Sequence, residues 1–356
     1  MKSRNDTVDM IRGFAMLLVV LGHTISGTVS EYSDSFLFQL VWTLQMPLFF
    51  IISGYVTRYS HPICDINDLW KFVKRRSLSY LFPWTIWTFL IRGLIFGQSN
   101  FFNIGYLIWH MDTGYWFLVT IWMISMVFGV TDFICNKLCK SNDNISVLFH
   151  LLLSGFWMMG FLIVGRLIGM NFLSIKLTLY YLPIYLMGYL YGHIQEKLLL
   201  TDKKSNLIDF AIVISLGLWL AFINRFDFYA MADDVVSILF RFITSILGCI
   251  FVIGLFTSTD SNNYQSSKSK PVAEFSPVRK RIVDSSFIWI GVHSLEIYLI
   301  HGFSICLLKL ADKPVFHSIS GLVLIFLNLI ITISLSFFYI KLIEKNQLLN
   351  KLLFWK

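Results

Sequence analysis

Long apolar runs recur along this chain, and they limit it to one class of fold. A helix crosses the hydrocarbon core of a bilayer with roughly 20 apolar residues. The 356 residues are 56% hydrophobic and 14% charged, with a mean hydropathy of +0.68, which is more apolar surface than one soluble core can bury. The sequence therefore predicts an all-α, polytopic integral membrane protein with about ten transmembrane helices. The predicted spans are residues 8–28, 36–57, 79–96, 115–135, 147–169, 177–193, 207–224, 235–257, 287–309 and 318–340.

The basic residues are distributed by position along the chain. Of the 29 lysines and arginines, 21 fall in the two tails and in alternate loops. The opposite loops, such as 30–35 and 228–234, are acidic or neutral. The positive-inside rule then places both termini in the cytoplasm, in a multi-pass protein of the cell membrane. We interpret the net charge of +8 as a topology signal, and we expect the lipid bilayer, with no nucleic acid, as a partner.

The chain is predicted to form one membrane domain, residues 1–345, followed by a short cytoplasmic tail at 346–356. Residues 258–285 are rich in serine, lysine and proline, which predicts a flexible cytoplasmic linker. The first apolar run lacks a small-x-small cleavage pattern and is too long for a signal peptide, so we expect it to remain as the first helix. Cys135 and Cys139 lie one helical turn apart without a second pair at ligand spacing, and no metal site is expected.

Ionisable side chains within predicted spans are functional candidates, because each costs about 2.5 to 3.5 kcal/mol at a helix centre on insertion scales. They are Asp9, Arg12, His23, Arg92, Arg166, Arg241, Glu296 and His301. At about 100° per residue, the first three share one face of the first helix, and Arg12 lies about 16 Å from His23 along the axis. That face presents an anion-binding group near the cytoplasm and a base in the outer half of the bilayer.

Each residue of this stripe also has a simpler interpretation. Asp9 completes a capping box with Asp6 or complements the helix dipole. Arg12 extends to the cytoplasmic headgroups. His23 is an interfacial histidine whose hydrogen bonds are satisfied. The residues taken alone leave these alternatives open.

Five motifs together resemble the integral-membrane acyltransferase-three family, which includes O-acetyltransferases of cell-surface polysaccharides. They are VDMIRGFAMLLVVLGH at 8–23, LQMPLFFIISGY at 44–55, KRRSLSYLFPW at 74–84, YWFL at 115–118 and IGVHSLEIYLIH at 290–301. The similarity extends through most of the chain, and ten spans is the family's number. The family often has a histidine where this chain has Gln45 and a second arginine where it has Ser79, so the roles of these two positions stay open.

The resemblance implies transfer of an acyl group, usually acetyl, from cytosolic acetyl-CoA to a hydroxyl of a glycan or lipid-linked sugar. Acetyl-CoA is then a substrate, and a carbohydrate is the acceptor. Some members carry a fused extracellular esterase-like domain that is not found in this sequence. This implies a standalone enzyme or a separate extracytoplasmic transferase or glycan-assembly partner.

The candidate catalytic residues are His23, Asp9 and Arg12. A histidine with a pKa near neutrality can deprotonate the attacking hydroxyl or can itself be acylated first, and the sequence does not decide between these. Arg75 and Arg76 are the candidate ligands of the coenzyme A phosphates, together with Arg12.

The candidate substrate-binding residues are Trp116, Tyr298 and His301. Trp116 is expected to stack on a sugar ring or to belong to an interfacial aromatic belt. Tyr298 and His301 lie one turn apart, where they orient the acceptor, polarise the oxyanion or simply pack. Ser53 and Gly54 are interpreted as a site of close helix packing.

A transporter or flippase for a sugar, a lipid-linked saccharide or an acyl donor is the alternative function, because intramembrane arginines also line substrate paths. A non-catalytic membrane scaffold is a third possible function. Thioester turnover by purified protein distinguishes the enzyme from both.

Overall fold

The computed structural model describes residues 5–95, 97–111, 114–138, 143–198, 205–229, 231, 234–266, 277–307 and 312–356. Within these ranges the chain is helical and forms no β-strand; a single parallel bridge joins Ser30 and Val315. The predicted all-α class is confirmed, because each of the ten predicted spans overlaps a helix in the described part of the chain.

The helices are numbered in chain order. They are α1 Asp6–Thr28, α2 Phe36–Arg58, α3 Ile66–Ile86, α4 Ile104–Trp109, α5 Trp116–Leu138, α6 Asp143–Ile168, α7 Ile175–Leu198, α8 Ser205–Arg225, α9 Val235–Ser266, α10 Pro277–Val292, α11 Ser294–Leu307, α12 Ile319–Glu344 and α13 Gln347–Phe354. A π-helical segment, Trp87–Ile95, continues α3. Prolines 47, 83 and 183 lie inside α2, α3 and α7.

Seven helices in the described ranges are long and apolar enough to cross a membrane. The predicted number of about ten transmembrane helices is therefore not confirmed. The seven helices are α1, α2, α3 with its π segment, α5, α6, α9 and α12. The five tyrosines of α7 and Lys176 lower its hydropathy. In α8 the apolar part is the shorter Phe210–Arg225. The predicted span 287–309 is broken, because α10 and α11 meet at a bend of 82° beside His293; counted as one span, this pair gives eight.

Part of the predicted linker is helical. Helix α9 continues to Ser266, and α10 begins at Pro277, while residues 267–276 lie outside the described part of the chain. An established helix extends at little cost, and residues 258–266 contain neither glycine nor proline to stop it. Pro277 is the first helical residue of α10, a position where its missing N–H costs nothing.

The predicted tail is also ordered. Asn346 caps α13 by accepting hydrogen bonds from the N–H groups of Leu348 and Leu349. Phe354 is buried, and the indole N–H of Trp87 donates to the carbonyl oxygen of Leu353 at 2.9 Å. Residues 347–354 are therefore a packed helix.

The chain forms two compact units. Unit one comprises Met1–Ile52 and Lys197–Leu342, and unit two comprises Ser53–Glu196 and Ile343–Lys356. In unit one, α1 packs against α9, α10 and α11. Its closest approach to α10 is at Gly13 and Gly291, where a Cβ would overlap the carbonyl oxygens of Phe287 and Asp9, respectively. In unit two, α5 packs against α3 and α6, and α13 packs against α3.

Candidate functional site

The N-terminal end of the predicted stripe is an ion pair on α1. Asp9 is buried, and its Oδ1 lies 3.7 Å from Nη1 of Arg12, whose side chain keeps 30% of its surface exposed. The capping box proposed for Asp6 and Asp9 is not the cap of this helix; Asn5 is the N-cap, and its side chain accepts a hydrogen bond from the N–H of Val8 at 3.3 Å. Asp9 is thus placed to hold the guanidinium of Arg12.

The other end of the stripe is His23, whose side chain is exposed although the adjacent Gly22 and Thr24 are buried. Helix α1 is continuous from Asp6 to Thr28, so the eleven residues from Arg12 to His23 span about 16 Å. The charged pair and the imidazole therefore lie on one helix face but cannot contact the same reacting atoms. An exposed imidazole on a mostly buried helix is accessible to a substrate.

His301 of α11 lies next to His23, with ring centroids 5.1 Å apart and planes inclined by 43°. His301 is buried, and its Nδ1 lies 3.1 Å from the carbonyl oxygen of Ile297. A carbonyl oxygen only accepts, so Nδ1 carries the proton of this bond, and in the neutral ring Nε2 is the acceptor. Tyr298 is also buried, with its ring centroid 5.8 Å from that of His301.

Gln45 of α2 lies against α1 at the residue before His23. A Cβ on Gly22 would lie 2.9 Å from Oε1 of Gln45 and 3.0 Å from Cγ1 of Val41, so a side chain there would require the Gln45 amide to move away from α1. The Gln45 side chain is 7% exposed, and among the described residues its Oε1 has no hydrogen-bond donor. This contact was not predicted from the sequence, where a glycine beside a histidine in an apolar span was its only signal.

A lysine from another part of the chain binds the C-terminal end of α1. The ammonium of Lys313 donates to the carbonyl oxygen of Ser26 at 2.7 Å, and the Ser26 hydroxyl donates to the carbonyl oxygen of His23 at 3.1 Å. A positive charge at the carbonyl end of a helix is stabilising. Lys313 thereby fixes the turn that carries His23.

The remaining candidate residues lie in unit two. Arg75 is exposed, whereas Arg76 is partly buried, donates from Nη1 to the Tyr80 hydroxyl at 3.0 Å and lies over the Phe72 ring at 5.4 Å. Trp116, the first residue of α5, stacks on Tyr181 with centroids 5.6 Å apart. The structure thus brings His23, Tyr298 and His301 together in unit one, whereas Arg75, Arg76 and Trp116 belong to unit two.

Close helix packing at Gly54 is confirmed. A Cβ there would overlap the carbonyl oxygen of Tyr185 in α7. Of the unassigned intramembrane groups, Arg166 is exposed, Glu296 is buried in the first turn of α11, and the guanidinium of Arg92 lies against Gly114, whose φ is +67°.

The described residues contain no group of three or more histidine, cysteine or acidic side chains arranged to hold a metal. Cys135 is buried in α5, whereas Cys139 lies outside the described ranges. Asp132 and His150 form an acid–histidine pair in unit two, 3.4 Å apart, and Asp132 also accepts from the N–H of Ile63 at 2.9 Å.

Comparison with known proteins identifies the family to which this chain belongs. Residues 5–341 match the acyltransferase-three family, described as an acyltransferase domain, and the chain belongs to that family of membrane acyltransferases. Nodulation protein NolL of Sinorhizobium fredii (strain NBRC 101917 / NGR234) is 26% identical over 199 residues, which are 55% of this chain. The match covers 50% of that relative. No solved structure matches the chain.

Proposed function

We propose that this protein is a membrane O-acetyltransferase that moves acetyl from cytosolic acetyl-CoA to a hydroxyl of a cell-envelope or exported carbohydrate, with His23 as the catalytic residue. The observation that carries the proposal is the exposed imidazole of His23 beside the buried His301, 5.1 Å away. Membership of an acyltransferase family supplies the reaction class. Proton transfer by a positioned histidine typically contributes about 10²- to 10⁴-fold to such a reaction.

In the proposed reaction, His23 takes the proton of the acceptor hydroxyl as its oxygen attacks the thioester carbonyl carbon. The carbon–sulfur bond breaks, and the proton passes from His23 to the leaving thiolate, giving the acetyl ester and free coenzyme A. His301 orients the acceptor, because its Nε2 can accept a hydroxyl hydrogen bond while Nδ1 is held by Ile297. Because the one N–H of the neutral His301 ring donates to Ile297, the ring has no N–H left to donate to the oxyanion.

The donor end of the proposal is the pair Asp9 and Arg12. Coenzyme A carries phosphates that need cationic partners, and the partly exposed guanidinium of Arg12, steadied by a buried carboxylate, fits that chemistry. The 16 Å or so between Arg12 and His23 is a distance that the thin thioester arm of the donor can extend along. Arg75 and Arg76 remain proposed phosphate ligands, and Trp116 a proposed sugar contact, on sequence grounds.

A carbohydrate acceptor, a cell-membrane location and cytoplasmic termini complete the proposal. The family resemblance supports the acceptor, and the seven apolar helices support a multi-pass membrane protein. The charge asymmetry of the loops supports the orientation. A separate extracytoplasmic transferase is proposed as a partner for any later step.

The test uses the full-length protein in lipid nanodiscs with acetyl-labelled acetyl-CoA. We expect release of free coenzyme A thiol and transfer of label to glycan extracted from the host envelope, without any membrane potential or second compartment. A transporter or scaffold releases no thiol in this assay, so absence of thioester turnover in a folded preparation overturns the proposal. Acid quenching and mass spectrometry of the His23 peptide separate the base from the acyl carrier, because only the carrier retains an acetyl group.

A further inference from the structure

Gln45 carries a buried side-chain amide on α2. Among the described residues, Oε1 of Gln45 has no donor although the side chain is 7% exposed. A buried acceptor without a partner costs about 1 to 3 kcal/mol, so it is retained where something else uses it. Its neighbour Gly22 is directly followed by His23.

A catalytic imidazole needs two partners. One nitrogen takes the proton of the attacking hydroxyl, and the N–H on the other needs a fixed acceptor that selects the tautomer and stabilises the imidazolium. The N–H of His301 already donates to Ile297, whereas among the described residues the His23 ring has no hydrogen bond to such an acceptor. Gln45 supplies an amide oxygen at the level of His23.

We propose that Gln45 is the positioning residue of His23: its Oε1 accepts the N–H of the imidazole once the substrates are bound. The inference rests on the proposed function, because it assumes that His23 exchanges a proton. Catalytic hydrogen bonds are often long before substrate binds and tighten in the reactive complex. The absence of a side chain on Gly22 lets the amide approach α1 closely enough for this.

A neighbouring glutamine on α2 has a different role. The amide of Gln39 is fully engaged: Nε2 donates to Asp227 Oδ1 at 2.7 Å, and Oε1 accepts from the N–H of Phe228 at 2.8 Å. Gln39 thus holds the chain between α8 and α9 and has no place in the reaction. It provides the matched control, a buried glutamine on the same helix with satisfied hydrogen bonds.

The experiment compares Gln45→Met, Gln45→Glu and Gln39→Met in nanodiscs, measuring thiol release from acetyl-CoA and the melting temperature. Methionine keeps the volume but removes the acceptor, so Gln45→Met should lower kcat about 10- to 100-fold, with an unchanged KM for acetyl-CoA and an unchanged or higher Tm. Gln45→Glu keeps an acceptor oxygen at this position, so it should recover at least half of the kcat that Gln45→Met loses. Gln39→Met should lower Tm while leaving kcat per folded molecule intact.

The outcomes separate this inference from the proposed function. If the wild type releases thiol, His23→Ala does not, and Gln45→Met matches the wild type, the positioning role is wrong and the function stands. An equal loss of kcat in Gln45→Met and Gln45→Glu at unchanged Tm also overturns the positioning role, because the loss would then not depend on the acceptor oxygen. No thiol release by the wild type overturns the function itself.

Discussion

His23 and His301, on helices α1 and α11, lie with ring centroids 5.1 Å apart, one exposed and the other buried. In the proposed reaction the two rings divide the tasks of acyl transfer. The exposed ring can reach both substrates, and the buried one has a fixed tautomer because its Nδ1 is bound to the backbone. Substitution of each histidine tests its proposed task.

His23→Ala should abolish acetyl transfer, with a loss of at least about 10²-fold, because no other group on this helix face replaces the base. The measurement is label in envelope glycan, normalised to protein level and melting temperature. His317→Ala, which removes another exposed histidine of unit one, should keep wild-type transfer. Retained glycan acetylation in His23→Ala would show that the histidine has no catalytic role.

His301→Gln should lower kcat/KM for the acceptor about 10-fold or more, because a flexible amide replaces a ring whose Nε2 is held in place by the Nδ1 contact with Ile297. His293→Gln is the matched control, since Nδ1 of His293 contacts the carbonyl oxygen four residues earlier, that of Trp289, at 2.8 Å. It should keep its kcat/KM per folded molecule. Equal effects of the two substitutions would assign His301 a packing role only.

Arg12→Gln should raise the KM for acetyl-CoA about 10-fold or more with little change in kcat, because a charge-assisted contact to a phosphate is lost. The variant should also discriminate less between acetyl-CoA and its 3′-dephospho form. Lys71→Gln breaks another ion pair at the same sequence spacing, with Asp68, but an exposed one, and should leave KM unchanged. A donor dependence identical to wild type in Arg12→Gln would exclude the assigned contact.

Gly54→Ala should destabilise the protein by about 1 to 3 kcal/mol, because the new methyl group overlaps the backbone of α7. Gly155→Ala in α6 meets no atom within 4 Å and should be neutral or stabilising, since alanine favours helix. Thermal unfolding in detergent measures both. A Gly54→Ala variant as stable as Gly155→Ala would contradict the close helix contact.

Phe354→Ala should lower Tm strongly, because a buried phenylalanine is typically worth about 3 to 5 kcal/mol. Leu352→Ala, on the same helix but 40% exposed, should have a much smaller effect. Equal melting temperatures for the two variants would mean that α13 does not pack as the structure has it.

The sequence by itself determined the class of the protein, because apolar runs of membrane length permit little other than helices. It also determined that Asp9, Arg12 and His23 share a face, since a continuous helix fixes the angle and rise between its residues. Close packing at Gly54 followed from a small residue within an apolar span. These are local properties, decided within one helix.

Only the tertiary structure decided which residues from other helices lie against α1 at Gly22 and His23. Neither His301 nor Gln45 has a fixed relationship to α1 in the sequence, because packing of whole helices sets such contacts. Three further features likewise depend on tertiary contacts, which a hydropathy profile does not contain. They are the break beside His293, the extension of α9 to Ser266 and the packing of 347–354 within unit two. Periodicity specifies the face of a helix, and packing specifies what that face meets.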